Sequence, residues 1–493
     1  MKTEKIRISR RSFLQAAGLL TLSAGFSACG SQGTSSGTQE ETLLEDAVRA
    51  EFTDAAVTLR PDDASGCTVD GTTLTITAAG TYAVSGSCAD GCIRVEGGIE
   101  DVVLVLNGLT LTSEITAPLV CGKASGVTIA ASDGTENTLA DTEANNKDSE
   151  TASENAENAV IKCKDGAQVI LCGKGTLNLA AAGKNGIKAG AAQDERDASL
   201  TIRELTLNID APVNDAINAE QFLLVESGTL TIAAGDDAVH SDLYLNIGAE
   251  GTDGPSITVS TCYEGLEAAE LNIYSGTIDI TATDDCLNAA NSDLGDYPFC
   301  MNIAGGAITA YSSEGDGLDS NGTLTISGGS ISVWTANTAD NQPLDADGTI
   351  SITGGTVLAA GGSAGMGNTL EAGQPCVSFG GSRDALSLTA GSEFSICSAD
   401  GTALYTAQAA CGAGYVFFTS PELTEEESYT LTFNGSATAQ AQTGTISDAQ
   451  PGGQGGRQMP PDGQMPDAGQ RPEGQAPGKG QPPQDAAAGS EAA

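Results

Sequence analysis

Seven short phrases along the chain share one grammar: acid or amide, small, aliphatic, polar, then Ala or Ser. They are Asn185–Ala189, Asp215–Ala219, Asp237–Ser241, Glu264–Ala268, Asp285–Ala289, Asp316–Ser320 and Gln342–Ala346, recurring about every 20 to 30 residues. No Lys or Arg occurs between Arg203 and Arg383, whereas that interval holds 25 Asp and Glu. Carboxylates collected without basic partners suit hard cations, and calcium, which takes roughly six to eight oxygens in flexible geometry, suits them best. The candidate ligands are Asp215, the doublets Asp236-Asp237 and Asp284-Asp285, Glu264 and Glu267 between them, and Asp316 with Asp319. The competing reading is a solvated acidic face. Recurrence at one phase of the repeat favours the metal column. His240, the single histidine, reads as a coil-surface residue rather than a ligand.

A period of this size means a solenoid, in which equivalent residues of successive coils line up. At a rung spacing of ~4.8 Å, two unit charges repel by ~3.5 kcal/mol at an effective dielectric near 20. Stacked carboxylates must therefore splay into water, take up protons or bind cations. Each phrase is followed by alternating segments around a Gly turn, such as Leu324-Thr325-Ile326, Gly328-Gly329, Ile331-Ser332-Val333. Period-2 alternation signals strands, and Gly supplies the positive φ that corners need. The fold expected is an all-β, right-handed parallel β-helix over residues 53–375. Residues 141–157 are polar and charged and read as a loop insertion. Residues 376–446 lose the phrase and gather aromatics, which suggests a small C-terminal β cap over the last coil. Within residues 30–52, a tether is followed by a short amphipathic segment, Glu41–Phe52, that suits a capping helix.

The formal net charge of −44 excludes nucleic acid and anionic lipid surfaces as direct partners. Residues 1–29 read as an export signal: Ser9-Arg10-Arg11-Ser12-Phe13-Leu14 resembles a twin-arginine motif, and Phe26-Ser27-Ala28-Cys29 resembles a lipobox. Lipidation at Cys29 would make the protein an exported membrane lipoprotein facing outward; an ordinary secretory signal with an incidental Cys is the alternative. The other twelve cysteines are even in number, so disulfides and free core thiols are both open. The Pro, Gly and Gln-rich stretch 447–493 reads as disordered.

Four features in order, Gly80-Thr81-Tyr82-Ala83-Val84-Ser85-Gly86, Leu104-Val105-Leu106-Asn107-Gly108, Thr135-Glu136-Asn137-Thr138-Leu139 and the Asp-Gly-Ile-like coils, carry a resemblance. Over Thr58 to Phe433 the chain resembles the bacterial carbohydrate-binding domain-containing family of secreted parallel β-helix proteins. The resemblance implies a right-handed β-helix, bound calcium and polysaccharides of plant type, including acidic sugars. It also implies a likeness to pectate lyases, which does not establish catalysis.

Lyase chemistry needs a Lys or Arg base beside the calcium, and only Lys184 and Lys188, one coil before Asp215, stand near it. Gly235-Asp236-Asp237 and His240 faintly resemble polygalacturonases, but that family's Gly-His-Gly and Arg-Ile-Lys elements are absent. No catalytic residue is therefore assigned. Trp334, Tyr311 and Tyr263 are the candidate sugar-stacking rings; packing is the equal alternative for Trp334, and the alternation of Ile331 and Val333 places it on the outward face. The expected function is calcium-dependent polysaccharide binding at the cell surface by a monomer. A calcium-dependent lyase or hydrolase, or an adhesin for a protein partner, would also fit the composition.

Overall fold

The computed structural model describes residues 44, 46–336, 341–362, 370–381 and 386–444. The export signal, Cys29 and the stretch 447–493 lie outside the described residues. Strands dominate what is described, and most of them join one sheet of 34 strands whose pairings are largely parallel. Each coil contributes up to three short strands, so three parallel ladders run along the axis. In one coil these are Leu318–Ser320, Thr323–Ile326 and Ser330–Thr335. Strands pair with their counterparts one coil away, as Thr309 with Ser332 and Met301 with Leu324. This is a parallel β-solenoid.

The aliphatic residue of every phrase falls on one inward line. Leu74, Ile93, Leu119, Ile161, Ile187, Ile217, Val239, Leu266, Leu287 and Leu318 are successive register partners, and an isolated bridge extends the line to Leu344. All are fully buried within one continuous core. Each such side chain contributes roughly 1.5–3 kcal/mol by leaving water, so the line fixes the register of the residues around it. The small residue before it must be small: a Cβ on Gly317 would lie 2.1 Å from Val333 Cγ1 and 2.6 Å from Pro343 O.

Three expectations need correction or resolution. No helix forms at Val48–Phe52; it is a strand, parallel to Gly80–Cys88 and antiparallel to Val57–Arg60. Ala50 and Phe52 alternate inward there, a period of 2 that a strand buries and a helix would not. The twelve described cysteines are all free, and all but Cys300 are buried, so they serve as small core residues. The insertion folds back on the coils through a 3-10 turn at Glu143–Asn145. Buried Asn145 donates to Asp141 Oδ2 at 2.7 Å and to Ala159 O at 2.9 Å.

Beyond Cys376 the direction of pairing reverses. The strand Tyr415–Thr419 runs antiparallel to both Thr356–Gly361 and Cys376–Gly380. A separate four-stranded antiparallel sheet is formed by Glu393–Cys397, Ala403–Gln408, Ser428–Phe433 and Ser436–Gln442. Its apolar face packs with Trp334, Leu358 and Phe418 in a second core.

Candidate functional site

The phrase places two polar side chains outside for each one inside. The residue two before the inward aliphatic gives the column Asn185, Asp215, Asp237, Glu264, Asp285, Asp316 and Gln342. Their backbones are stitched together: Gly186, Ala216, Ala238, Gly265, Cys286 and Gly317 each donate N–H to the column carbonyl of the next coil at 2.9–3.2 Å. The residue after the aliphatic gives a second column, in which Lys188, Asn218, His240, Glu267, Asn288 and Asp319 are register partners. Asp345 follows Leu344 at the same position of the next coil.

Among the described residues, three clusters could hold a metal ion, each with ligand atoms within 4.8 Å of one another: Asp215 with Asp236 and Asp237, Asp237 with His240 and Glu267, and Asp316 with Asp319 and Asp345. Six of the nine predicted ligands, Asp215, Asp236, Asp237, Glu267, Asp316 and Asp319, therefore converge. Glu264, Asp284 and Asp285 do not join a cluster. Glu264 Oε2 accepts from Asn288 Nδ2 at 2.9 Å, and Asp285 Oδ1 accepts from the Asp316 N–H at 2.6 Å. Asp284 meets the Tyr263 hydroxyl, which is pushed up to about 12, first by that hydrogen bond and then by the carboxylate charge.

Charge is held in this face at a cost. Burial, and then the surrounding carboxylates, push Glu264, Asp285 and Asp316 up to about 7 and Asp319 to about 6. Burial also raises Asp215, although the Asn218 amide donates to its Oδ2 at 2.6 Å. His240 is the exception in sign. Burial works against its charge, but hydrogen bonds to Asp237, Asp242 and Glu267 outweigh this together and push it up to about 12. Its Nδ1 lies 3.0 Å from both Asp237 Oδ2 and Glu267 Oε2, and its Nε2 lies 3.0 Å from Asp242 Oδ1. The imidazolium is thus a built-in counter-ion for one cluster. The cluster of Asp316, Asp319 and Asp345 has no described basic group in it.

Two buried amide oxygens in the same columns, Asn288 Oδ1 and Gln342 Oε1, have no hydrogen-bond partner among the described residues. A buried oxygen without a donor is costly unless something positive meets it. Gln342 also donates its backbone N–H to Asp316 Oδ1, which ties that orphan oxygen's residue to the cluster without a basic group.

Sequence reasoning missed His240 and Asp345 as site residues. The signal was available, since both stand one place after the inward aliphatic, as Glu267 and Asp319 do. Among the predicted rings, Trp334 needs correction. It does face away from the solenoid core, as the alternation required, but it is only 2% exposed and packs edge-on against Phe394 with centroids 5.7 Å apart. Tyr311 packs partly buried against the same second core. Neither Trp334 nor Tyr311 offers an open stacking face. Tyr263 does: it is 47% exposed, and its backbone joins Asp236 O at 2.9 Å and Asp284 N at 2.8 Å on neighbouring coils.

Comparison with known proteins bears on this face. A carbohydrate-binding domain-containing protein of Acetivibrio thermocellus is 32% identical over 181 residues, which is 36% of this chain. The match spans 60% of that relative's length. A solved structure of a polysaccharide lyase-like protein from C. thermocellum, a gadolinium derivative, aligns with 66% of this chain and 96% of that one, at 23% identity and a TM-score of 0.31. The model of the carbohydrate-binding domain-containing protein family matches residues 70–365, well over half of the chain, and the chain belongs to that family.

Proposed function

We propose that the protein binds acidic, uronate-containing polysaccharide through calcium ions held on the acidic face, without turning it over, at the outer surface of the cell. The observation that carries the calcium reading is the donor set around Asp316, Asp319 and Asp345. Three carboxylates, two of them held near neutral pH by burial and mutual repulsion, converge there, and Gln342, whose backbone N–H meets Asp316, carries a buried side-chain oxygen with no partner among the described residues. All-oxygen donors of mixed carboxylate and amide type are what calcium takes. Asp215, Asp236 and Asp237 offer a second such set. Calcium bound there would leave coordination positions for the carboxylates of a uronate chain lying along the axis. The exposed ring of Tyr263, between Asp236 and Asp284, would stack on a sugar face. Family membership supports the carbohydrate partner.

Calorimetric titration of chelator-treated protein with calcium, followed by retention on polygalacturonate with and without chelator, tests this. Calcium binding in the micromolar to millimolar range and retention that falls with chelator are expected. Retention of equal strength with no free calcium would sink the bridging reading.

A second reading, a calcium-dependent lyase, draws on one observation. Lys188 Nζ donates to Asn218 Oδ1 at 3.2 Å, and Asn218 Nδ2 donates to Asp215 Oδ2 at 2.6 Å, so a potential base stands one residue removed from a candidate calcium cluster. Absorbance of the unsaturated uronate product, followed with calcium across pH, decides it; sustained turnover would replace binding with cleavage.

A further inference from the structure

The outward column that ends in Glu267 and Asp319 does not begin acidic. Traced back through the register it passes His240 and Asn218 to Lys188 and Lys162, then through Val120 to Arg94. One straight line of equivalent positions therefore changes sign along the axis. The change is unexpected in a chain with 65 acidic and 21 basic residues, where a lysine readily finds a carboxylate. Lys123 pairs with Asp165 at 3.0 Å, Lys164 with Glu157 at 2.8 Å and Lys184 with Asp148 at 2.5 Å.

Arg94, Lys162 and Lys188 pair with no described carboxylate, although all three are half-buried. Arg94 donates to Thr116 Oγ1 at 3.2 Å and also meets the Cys92 thiol, and Lys188 donates to Asn218 Oδ1 at 3.2 Å, all neutral groups. Lys162 and Lys188 are direct register partners, so two like charges stand one rung apart and partly out of water. Burial, and next the charge of Lys188, pull the Lys162 ammonium below its ordinary range, outweighing the opposite pull of Glu220 and Glu157, neither of which pairs with it. An anion lying against the pair would relieve both. Arg94 lines a groove of about 420 Å³ together with Asp90, Ser113, Thr116 and, from the insertion, Asn155, side chains able to hydrogen-bond sugar hydroxyls, with room for a sugar unit.

We propose that Arg94, Lys162 and Lys188 form a metal-independent subsite for the carboxylates of an acidic polysaccharide, on the same line whose far end takes the chain through bound cations. This rests on the reading of the ligand as an acidic polysaccharide. The cations are spread along the axis, Lys162 and Lys188 on adjacent rungs and Arg94 two rungs before Lys162 across Val120, instead of converging on one point, which suits an extended charged polymer and not a compact phosphate.

The test uses the full chain and polygalacturonate, with a neutral plant polysaccharide as comparison. In chelator, the wild type is expected to retain weak binding that declines with added salt. The double variant Lys162→Gln/Lys188→Gln should lower that residual affinity at least tenfold while keeping its calcium-dependent increment, and Arg94→Gln should lower it severalfold. Lys123→Gln, which breaks an existing ion pair, should leave it unchanged. Thermal melting of the double variant should be no lower than wild type, because a repulsion is removed, which separates loss of binding from loss of fold. Binding by the wild type only with calcium, untouched by the double variant, would overturn this subsite and leave the calcium reading standing. Failure of the wild type to bind polygalacturonate in any condition would overturn both.

Discussion

Raising the pH of calcium-free protein should destabilise it, a direction set by the acidic face. Glu264, Asp285 and Asp316 are held near 7 in the fold, against 4.5, 3.8 and 3.8 for the free side chains. Their folded values are raised, so their contribution to stability is fully present below about pH 4 and is lost as pH climbs through 7. Between pH 5 and 7 the unfolded chain is ionised while the folded chain is still protonated, about two pH units at about 1.4 kcal/mol each. Each of the three carboxyls then costs about 2.5 kcal/mol, or about 8 kcal/mol together. With a melting entropy of about 2.1 cal/mol/K per residue, this is a fall of about 10 °C if the described domain melts as one unit, and more if a few coils melt separately. Calcium should cancel the trend, since an ion at 100 times its Kd adds about 2.7 kcal/mol per site and favours the ionised ligands. The assay is differential scanning calorimetry from pH 5 to 8, in chelator and in millimolar calcium. A calcium-free melting temperature that stays flat or rises across that range would refute the argument.

Replacing Asp316, Asp319 and Asp345 together by Asn should raise the calcium-free melting temperature at pH 8 by several degrees, because repulsion is removed, and should delete one calcium site from the calorimetric titration. His240→Gln should do the opposite at pH 7. Three carboxylates lose their imidazolium, the calcium-free fold weakens by about 3 kcal/mol as expected when one partner of a buried pair is removed, and the cluster of Asp237 and Glu267 should gain affinity for calcium. Trp334→Ala should cost about 3–5 kcal/mol by denaturant unfolding and leave polysaccharide retention unchanged, since the ring is buried against the second sheet. Tyr263→Ala should keep stability within about 0.5 kcal/mol and lower retention, measurable by affinity electrophoresis.

The coils were legible because their signal is local and repeated. Each aliphatic residue from Ile187 to Leu344 announces its own inward position, and register follows once one face is buried. The N-terminal strand Val48–Phe52 was misread because its few alternating residues suit a helix or a strand until a neighbouring strand is present to pair with. The site was half legible. Carboxylates at one phase of the repeat could be seen to stack, but which of them converge depends on side-chain direction. Glu264 reaches sideways to Asn288, whereas Glu267, three residues on, reaches back to His240. Trp334 shows the other limit. Alternation gave its outward direction correctly, but the sheet that covers it comes from Glu393–Gln442, and no local pattern reports what a distant segment will pack upon.

The line of inward aliphatics runs without interruption from Ile93 to Leu344 while the side chain after it passes from arginine through valine, lysine, asparagine and histidine to glutamate, asparagine and aspartate. Stability and surface chemistry are thus written on different letters of the same five-residue word. A substitution at the outward letter changes what a coil attracts while the inward line that sets its register is kept. A whole coil gained or lost lengthens or shortens the tract by one rung and leaves its neighbours' contacts of the same kind. Diversification of ligand preference in such a protein can therefore proceed with the register of the coils intact, provided that the inward letter stays aliphatic and the letter before it stays small.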